Sequence, residues 1–303
     1  MRLIFFGTPA FALPALAAVA ARHDVVRVVT APARPRGRGQ HALPTPVGAE
    51  AERLGLEIST PERLDAAAVQ ELLALRPAAA AVVAYGKMLP AALFESVPCL
   101  NVHPSLLPRH RGAAPIPWTI WSGDAEWGVS IMRIVQELDA GPVHLREARP
   151  VTAGATAGEL EVQAALLGAR MLAEALDLLA AGRLPERPQE GEPTYARRLV
   201  KEDERLDLGQ PARDLARQVL ALSPRPGARV RVEPDGLELR LLRARAAEGD
   251  LPRGALATDR LSLLIGTGQG VLAVDELQPA GGRVQTAADL LRGRPGILQG
   301  SAS

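Results

Sequence analysis

Cysteine is nearly absent from this sequence, and its scarcity limits the chemistry that the chain can perform. One cysteine, Cys99, occurs in 303 residues, which excludes an internal disulfide bond and a zinc site built from several cysteines. Cys99 lies in an apolar stretch, so we interpret it as a buried core thiol rather than a nucleophile. A chain without disulfides is typical of a reducing compartment, and we expect it in the cytoplasm.

Long apolar runs are also lacking. Residues 1–7 are too short for the apolar segment of a signal peptide, and no small-residue cleavage site follows them. The stretch ALPALAAVAA is interrupted by Pro14 and falls short of the roughly 20 apolar residues that a membrane span needs. We therefore expect a soluble protein without a membrane partner.

The sequence has little excess charge and few histidines. The formal net charge is +1, so any nucleic-acid binding must come from local basic patches. None of the five histidines stands in an H-E-x-x-H pattern or pairs with a carboxylate at ligand spacing, and we expect no metal. Gly7 follows a strand-like run, but GTPAFALP lacks the G-x-G-x-x-G of a dinucleotide site. The later GTGQG lies between strand-like runs and indicates a hairpin turn.

The first half of the chain alternates short apolar runs with helical spacing, which predicts an α/β fold with a doubly wound, mostly parallel, Rossmann-like sheet. The predicted strands are RLIFF, DVVRVVT, AAAAVVAY and CLNVH, and GVSIMRIV is strand-like. Helical spacing covers residues 10–22, 46–55, 65–75 and 156–181.

The second half predicts a different architecture. A stretch rich in proline and charge follows the long helix and indicates a linker over residues 185–207. After a helix over 211–221, short strands separated by Gly, Pro and Asp turns predict a small OB-like β-barrel. We expect domains over residues 1–184 and 208–303.

The stretch NVHPSLLPRHRG carries the candidate chemistry. In open parallel sheets, ligands gather at the carboxyl ends of the strands, and the spacing of two directs Asn101 and His103 to the same side there. From the local pattern alone, Asn101 as a turn cap and His103 as an ordinary polar residue remain equally open. Asp139 in ELDAGP supplies a third polar side chain near a turn made by Gly141 and Pro142.

Together these residues resemble the folate-dependent formyltransferases, which share the Asn-x-His pair, the Ser-Leu-Leu-Pro turn and a downstream Leu-Asp-x-Gly. The similarity is closest to the members that act on methionyl-tRNA and covers nearly the whole chain. It is carried by FFGTPAFA, RPRGRG, VVAYGKMLP, SLLPRHRGAAPI, PTYARRLVKED and LQPAG.

The resemblance implies that a formyl group moves from 10-formyltetrahydrofolate to the α-amine of methionine on initiator tRNA. Transfer of an acyl group to an amine develops negative charge on oxygen and positive charge on nitrogen. Asn101 and His103 would donate to the oxygen, each worth on the order of 3 kcal/mol, while Asp139 would accept the proton and orient His103.

The resemblance also assigns the binding surfaces. The folate would lie between two backbone walls, formed by Ser105, Leu106, Leu107 and Pro108 and by Tyr85, Gly86 and Leu89. From the pattern alone, Tyr85 and Leu89 are equally consistent with core positions, and Lys87 is interpreted as solvated.

The tRNA would meet a flexible basic loop and the start of the second domain. The basic residues concerned are Arg34, Arg36, Arg38, Arg197, Arg198 and Lys201. Taken without the resemblance, the loop arginines are solvated charges. The expected partners are initiator Met-tRNA and a tetrahydrofolate derivative, with the chain as a monomer.

Two other functions stay open. A formyltransferase acting on a nucleotide sugar or another small amine would share Asn101, His103 and Asp139, and a tRNA-binding module without activity would need only the barrel and the loop. Some residues depart from the family pattern: Ser223 and Arg225 stand where we expect Asn and Trp, and Leu208 where we expect Trp. These departures concern the packing of the barrel and tRNA docking.

Overall fold

The computed structural model describes residues 1–36 and 41–303. They form two compact units, each discontinuous in sequence. The first comprises Met1–Gly112, Gly128–Arg149 and Glu161–Tyr195, and the second comprises Ala113–Trp127, Pro150–Leu160 and Ala196–Ser303. The functional boundaries predicted near residues 184 and 208 stay predictions.

The strands up to residue 196 are short, and most are apolar. They are β1 (Arg2–Gly7), β2 (Asp24–Val29), β3 (Arg34–Arg36), β4 (His41–Leu43), β5 (Ile58–Ser59), β6 (Ala79–Val83), β7 (Cys99–His103), β8 (Arg111–Gly112), β9 (Glu126–Arg133), β10 (Val143–Pro150) and β11 (Tyr195–Ala196). The helices of the described chain are α1 (Leu13–Ala20), α2 (Pro46–Arg53), α3 (Ala66–Ala74), α4 (Ala91–Phe94), α5 (Pro115–Trp121), α6 (Ala157–Ala180), α7 (Ala212–Leu222) and α8 (Ala287–Gly293).

The first unit is built on a mostly parallel sheet with the strand order β10-β9-β7-β6-β1-β2-β5. β1 runs parallel to β2 and β6, and β6 runs parallel to β7, whereas β9 is antiparallel to β7. Every residue of β6 is buried, as expected for a strand that is covered on both faces. The predicted α/β fold class is confirmed.

The interior strand β7 carries different side chains on its two faces. A Cβ atom at Gly168 of α6 would lie 2.5 Å from Cγ1 of Val102, so the helix packs closely against that side chain. Side chains alternate along a strand, so Asn101 and His103 lie on the face opposite Val102. The packing of α6 thus leaves the other face of β7 to the polar pair.

The second unit contains an antiparallel sheet that curls into a nearly closed barrel. Its strands are β12 (Ala228–Glu233), β13 (Leu237–Ala247), β14 (Leu256–Thr258), β15 (Leu263–Gly266), β16 (Val271–Pro279), β17 (Gln285–Thr286) and β18 (Ser301–Ala302). The order is β14-β15-β16-β13-β12-β18, and a bridge between Ala255 and Ser301 brings the two ends together. The predicted barrel is confirmed, and GTGQG forms the β15–β16 hairpin turn.

The structure accounts for Leu208, one of the residues that depart from the family pattern. Leu208 is 3% exposed and belongs to the barrel core with Leu215, Val219 and Leu222 of α7. The leucine therefore fills a core position where we expected a tryptophan. Ser223 is buried where the chain leaves α7, whereas Arg225 is exposed.

Several elements differ from the sequence predictions. The basic segment expected to be a flexible loop contains an antiparallel ribbon, in which Arg34–Arg36 pairs with His41–Leu43. We did not predict α5, α8 or β10. Within residues 1–36 and 41–303, no helix is both long and apolar enough to cross a membrane.

Gly168→Ala is expected to lower the melting temperature. Alanine in a helix interior is favoured over glycine by about 1 kcal/mol, but the new Cβ atom would overlap Val102, and overpacking a core costs about 1–3 kcal/mol. Val102→Ala in the same chain should restore part of the loss. Gly293→Ala in α8 is the control, because no described atom beyond its chain neighbours and its own helix backbone lies within 4 Å of its Cβ position. A higher melting temperature for Gly168→Ala, measured by calorimetry, would contradict this packing.

Candidate active site

His103 ends β7 and is almost completely buried, at 4% exposure. Its Nε2 atom lies 2.9 Å from the carbonyl oxygen of His110. Because a carbonyl oxygen can only accept, Nε2 must carry the hydrogen, and this assigns the tautomer of the neutral ring. The other nitrogen, Nδ1, then carries a lone pair.

The His110 carbonyl reaches the ring because its residue adopts an uncommon backbone conformation. His110 has φ +59°, in the left-handed region that non-glycine residues seldom occupy. Its backbone N–H donates to Oγ1 of Thr194 at 2.9 Å, which fixes the peptide on its other side. Left-handed residues of this kind often occur where the surrounding structure holds a functional geometry.

Asp139 approaches His103 from the segment that follows β9. Its Oδ2 atom lies 3.7 Å from Nδ1 of His103 and accepts a 2.8 Å hydrogen bond from the backbone N–H of Gly112. Asp139 is also left-handed, with φ +50°, and its side chain is 12% exposed. The structure therefore brings together two of the predicted residues, whose positions in the sequence are far apart.

Asn101 lies on the same face of β7, two residues before His103, and is half-buried. Its backbone pairs with Val82 of β6 on one side and with Met132 of β9 on the other. Within the described residues its side-chain amide makes no hydrogen bond, so the amide is available to a ligand.

Burial controls the protonation of His103. Removal from water lowers the pKa of His103 below its ordinary value of 6.5, although the carboxylate of Asp139 acts in the opposite direction. The imidazole is therefore neutral near pH 7. A neutral ring with a free Nδ1 lone pair beside a carboxylate can accept a proton.

The turn Ser105–Pro108 is held by two serine hydroxyls. Ser130, opposite His103 on β9, donates to the carbonyl of Ser105 at 2.8 Å and accepts from the N–H of Leu107 at 3.2 Å. Oγ of Ser105 donates to the carbonyl of Arg109 at 2.6 Å. Side-chain hydrogen bonds therefore hold this wall in place. Ser105 and Leu107 are buried, whereas Leu106 and Pro108 are half-buried.

Tyr85 and Leu89 lie in the core of the first unit. The Tyr85 ring packs edge-to-face on Phe6, with centroids 5.3 Å apart, and burial raises its pKa to about 12. Its Oη atom is buried and has no hydrogen-bond partner among the described residues. Gly86 has φ +80°, and its Cβ position faces open space.

Lys87, which we expected to be solvated, is half-buried. Its Nζ atom donates to the carbonyl oxygens of Pro61 and Glu62, both at 2.8 Å. The ammonium is attracted to these two carbonyl dipoles, and it ties the loop after β6 to the loop after β5.

The predicted tRNA residues of the second unit have different surroundings. Arg197 makes two hydrogen bonds of 2.7 Å to the carboxylate of Asp203, and its Cζ atom lies 5.1 Å from the ring centroid of Trp118. Arg198 and Lys201 are exposed and take part in none of the ion pairs among residues 1–36 and 41–303. Of the loop arginines, Arg34 and Arg36 belong to β3, and Arg38 lies outside the described residues.

Several groups at the site were not predicted. The His110 carbonyl and the Gly112 N–H lie within NVHPSLLPRHRG. Both are backbone groups, and side-chain patterns do not show which backbone groups form hydrogen bonds at a site. Arg111 and Gln189 lie beside Asp139, and Gln189 comes from the segment interpreted as a linker. Over the part of the chain that the structure describes, no cluster of three His, Cys, Asp or Glu side chains could hold a metal ion.

Acidification is expected to destabilise the fold through His103. Its folded-state pKa lies below the unfolded value, so the unfolded chain binds the proton more readily. The stabilising contribution is complete above pH 6.5 and is lost as the pH falls toward the folded-state pKa. Between about pH 7.5 and about pH 5, the parent should lose more unfolding free energy in urea than His103→Gln. Equal losses would show that His103 is not buried in its neutral form.

Comparisons with known proteins identify the family of this chain and agree with its fold. A family profile described as formyl transferase matches residues 1–176, and one described as formyl transferase, C-terminal domain, matches residues 198–295. A methionyl-tRNA formyltransferase from Paracoccus denitrificans is 46% identical over 299 residues, which cover 97% of each chain. A protein of the same name from Pelotomaculum thermopropionicum is 42% identical over 314 residues, covering 100% of this chain and 99% of its own.

A solved structure shows the same fold at low identity. HypX from Aquifex aeolicus, in complex with tetrahydrofolic acid, aligns with 96% of this chain at a TM-score of 0.62 and 20% identity. The chain spans 47% of HypX, about half its length. The resemblance inferred from the motifs is confirmed, and the chain belongs to the formyl transferase family.

Proposed function

We propose that this formyl transferase moves a formyl group from 10-formyltetrahydrofolate to the α-amino group of methionine on initiator tRNA. Relatives that carry this activity in their names match nearly the full length of the chain, including the barrel. In the structure, the supporting observation is the buried His103–Asp139 pair beside the available amide of Asn101.

The reaction requires a hydrogen-bond donor and a proton acceptor. The nucleophile is a neutral amine, and the excess proton must leave its nitrogen once that nitrogen has bonded to the formyl carbon. The formyl oxygen gains negative charge in the same step and is stabilised by a fixed donor. The N–H groups of the Asn101 amide suit the donor role.

The tautomer of His103 supports a different role from the one predicted. Its only hydrogen in the neutral state is directed to the His110 carbonyl, so neutral His103 has no hydrogen to donate to the formyl oxygen. Nδ1 can instead take the proton of the amine and become an imidazolium beside the Asp139 carboxylate. Asp139 then stabilises the charged ring and need not itself be protonated. When the bond between the formyl carbon and N10 breaks, the imidazolium returns its proton to N10, so tetrahydrofolate leaves as a neutral amine and His103 is neutral again.

The residues near the turn are compatible with a folate. Leu106 and Pro108 are half-buried and leave apolar surface for a flat ring. The unpartnered Oη of Tyr85 is a buried hydroxyl, and such a group is commonly satisfied by a ligand or water. A folate bound against this turn would supply the formyl group. Ser105 and Leu107 would shape the wall through their hydrogen-bonded turn.

The charges in the second unit support unequal contributions to tRNA binding. Arg198 and Lys201 are exposed and have no carboxylate partner in the described residues, so both are available to phosphates. The charge of Arg197 is balanced by Asp203, and its guanidinium covers Trp118. We assign Arg197 to holding this segment, and Arg198 and Lys201 to phosphate contact.

The partners and setting follow from this reaction. The substrate is an initiator tRNA charged with methionine, so we place the protein in the cytoplasm with translation. We expect the chain to act as a monomer, with residues 1–184 as the catalytic domain, 185–207 as a linker and 208–303 as the tRNA-binding domain.

The decisive assay compares acceptors. With 10-formyltetrahydrofolate as donor, transfer to Met-tRNA should exceed transfer to free methionine, to an amino sugar nucleotide and to uncharged tRNA by orders of magnitude in kcat/KM. The physical reason is that binding energy from the tRNA body is available to position the amine. Asp139→Asn is the control, because it retains shape and loses the negative charge beside His103.

Asp139→Asn should still bind tRNA and folate while turnover falls strongly. Preference for an amino sugar nucleotide would identify another substrate class. Binding of Met-tRNA without any transfer would indicate a binding module. Either result contradicts the proposed function.

Arg198→Ala and Lys201→Ala should each weaken tRNA binding severalfold and reduce the slope of log Kd against log salt by about one, as expected for a lost phosphate contact. Arg197→Ala should instead lower the melting temperature, because the nearly buried carboxylate of Asp203 loses its arginine and keeps, among the described residues, only the N–H of Val200 as a donor, and it should leave the salt slope unchanged. Filter binding at several salt concentrations measures the slopes. A reduced slope for Arg197→Ala alone would reverse the assignment.

A further inference from the structure

Gln189 contacts the backbone that carries Asp139. Its Nε2 atom donates to the carbonyl oxygens of Asp139 and Gly141, both at 2.8 Å. One side-chain amide therefore spans the turn in which Asp139 adopts its left-handed conformation. Gln189 is half-buried and lies 50 residues from Asp139 in sequence.

Arg111 holds the other end of the same amide. Its Nε and Nη2 atoms donate to Oε1 of Gln189 at 3.1 and 2.9 Å, which fixes which end of the amide faces the Asp139 turn. Arg111 is 8% exposed, and its Nη1 atom lies 3.3 Å from Oε1 of Glu137, two residues before Asp139. A buried guanidinium thus orients Gln189.

The turn also packs tightly against the end of β9. A Cβ atom at Gly141 would lie 1.8 Å from the carbonyl oxygen of Arg133, so the backbone there is already at its closest approach. The Asp139 carboxylate accepts a hydrogen bond from the N–H of Gly112, the residue after Arg111. Arg111 and its neighbour therefore secure both the backbone and the side chain of Asp139.

We propose that Gln189, anchored by Arg111, is a positioning residue that sets the carboxylate of Asp139 against Nδ1 of His103. The inference rests on the proposed role of Asp139 in formyl transfer. The hydrogen bonds of Gln189 go to the Asp139 turn and to Arg111, so Gln189 would act on His103 through that turn. Without its amide donors the carboxylate would shift relative to the imidazole, and displacements of about 1 Å in such sites cost about a hundredfold in rate.

Gln189→Glu is the sharpest variant. A glutamate keeps the size of the side chain and can pair with Arg111, but it presents no hydrogen to the carbonyls of Asp139 and Gly141. We expect kcat for Met-tRNA to fall by about 10- to 100-fold with KM little changed and the melting temperature close to that of the parent. Gln189→Leu, which loses both sets of contacts, should show the same loss of kcat with a lower melting temperature.

The matched control is Gln163→Leu, on the exposed surface of α6, which should leave kcat and KM unchanged. A double-mutant cycle then separates positioning from general structural support. If Gln189 acts through Asp139, then Gln189→Glu should cause no further loss in the Asp139→Asn background. Single-turnover rates allow this comparison, because they remain measurable in slow variants.

Unchanged kcat in Gln189→Glu, while Asp139→Asn is slow, would overturn the positioning role and leave the proposed function intact. A full additional loss in the Asp139→Asn background would also overturn it, because Gln189 would then act elsewhere. Turnover of Asp139→Asn equal to that of the parent would reject the role of Asp139 in the proposed function and the positioning role with it.

Discussion

The site depends on one hydrogen bond, from Nε2 of His103 to the carbonyl of His110. A buried imidazole needs a partner for its N–H, and this carbonyl is presented by a left-handed residue seven positions further along the chain. The bond determines the tautomer, and the tautomer places the lone pair on the nitrogen nearest Asp139. Burial keeps the ring neutral, so the ring is ready to accept a proton near pH 7.

The surrounding fold holds His103 and Asp139 in different ways. On one face of β7, α6 packs on Val102 through Gly168; the other face carries Asn101 and His103. Ser130 on the neighbouring strand supports the turn that follows. Asp139 lies beyond the end of a strand, and its position relies on hydrogen bonds from Gly112 and Gln189. The strand provides a rigid frame for the base, whereas side-chain contacts position its carboxylate partner.

The sequence was most informative where side-chain periodicity and burial coincide. Apolar runs predicted β1, β6 and β7, and the spacing of Asn101 and His103 placed them on one face because strands alternate. Two motifs and a family resemblance indicated that Asp139 would meet His103. Backbone donors and acceptors could not be predicted, since the His110 carbonyl depends on a conformation that histidine seldom adopts. Gln189 lies in a proline-rich stretch without periodicity, so no pattern distinguished it from a linker residue.

The most direct test of this account is the protonation state of His103 by NMR with ¹⁵N-labelled histidine, using His103→Gln to assign its signals. At neutral pH the account predicts a neutral ring with hydrogen on Nε2 and none on Nδ1, because the His110 carbonyl accepts from Nε2 and burial disfavours the imidazolium. A ring protonated on Nδ1 alone, or an imidazolium at pH 7, would contradict the role of His103 as the proton acceptor.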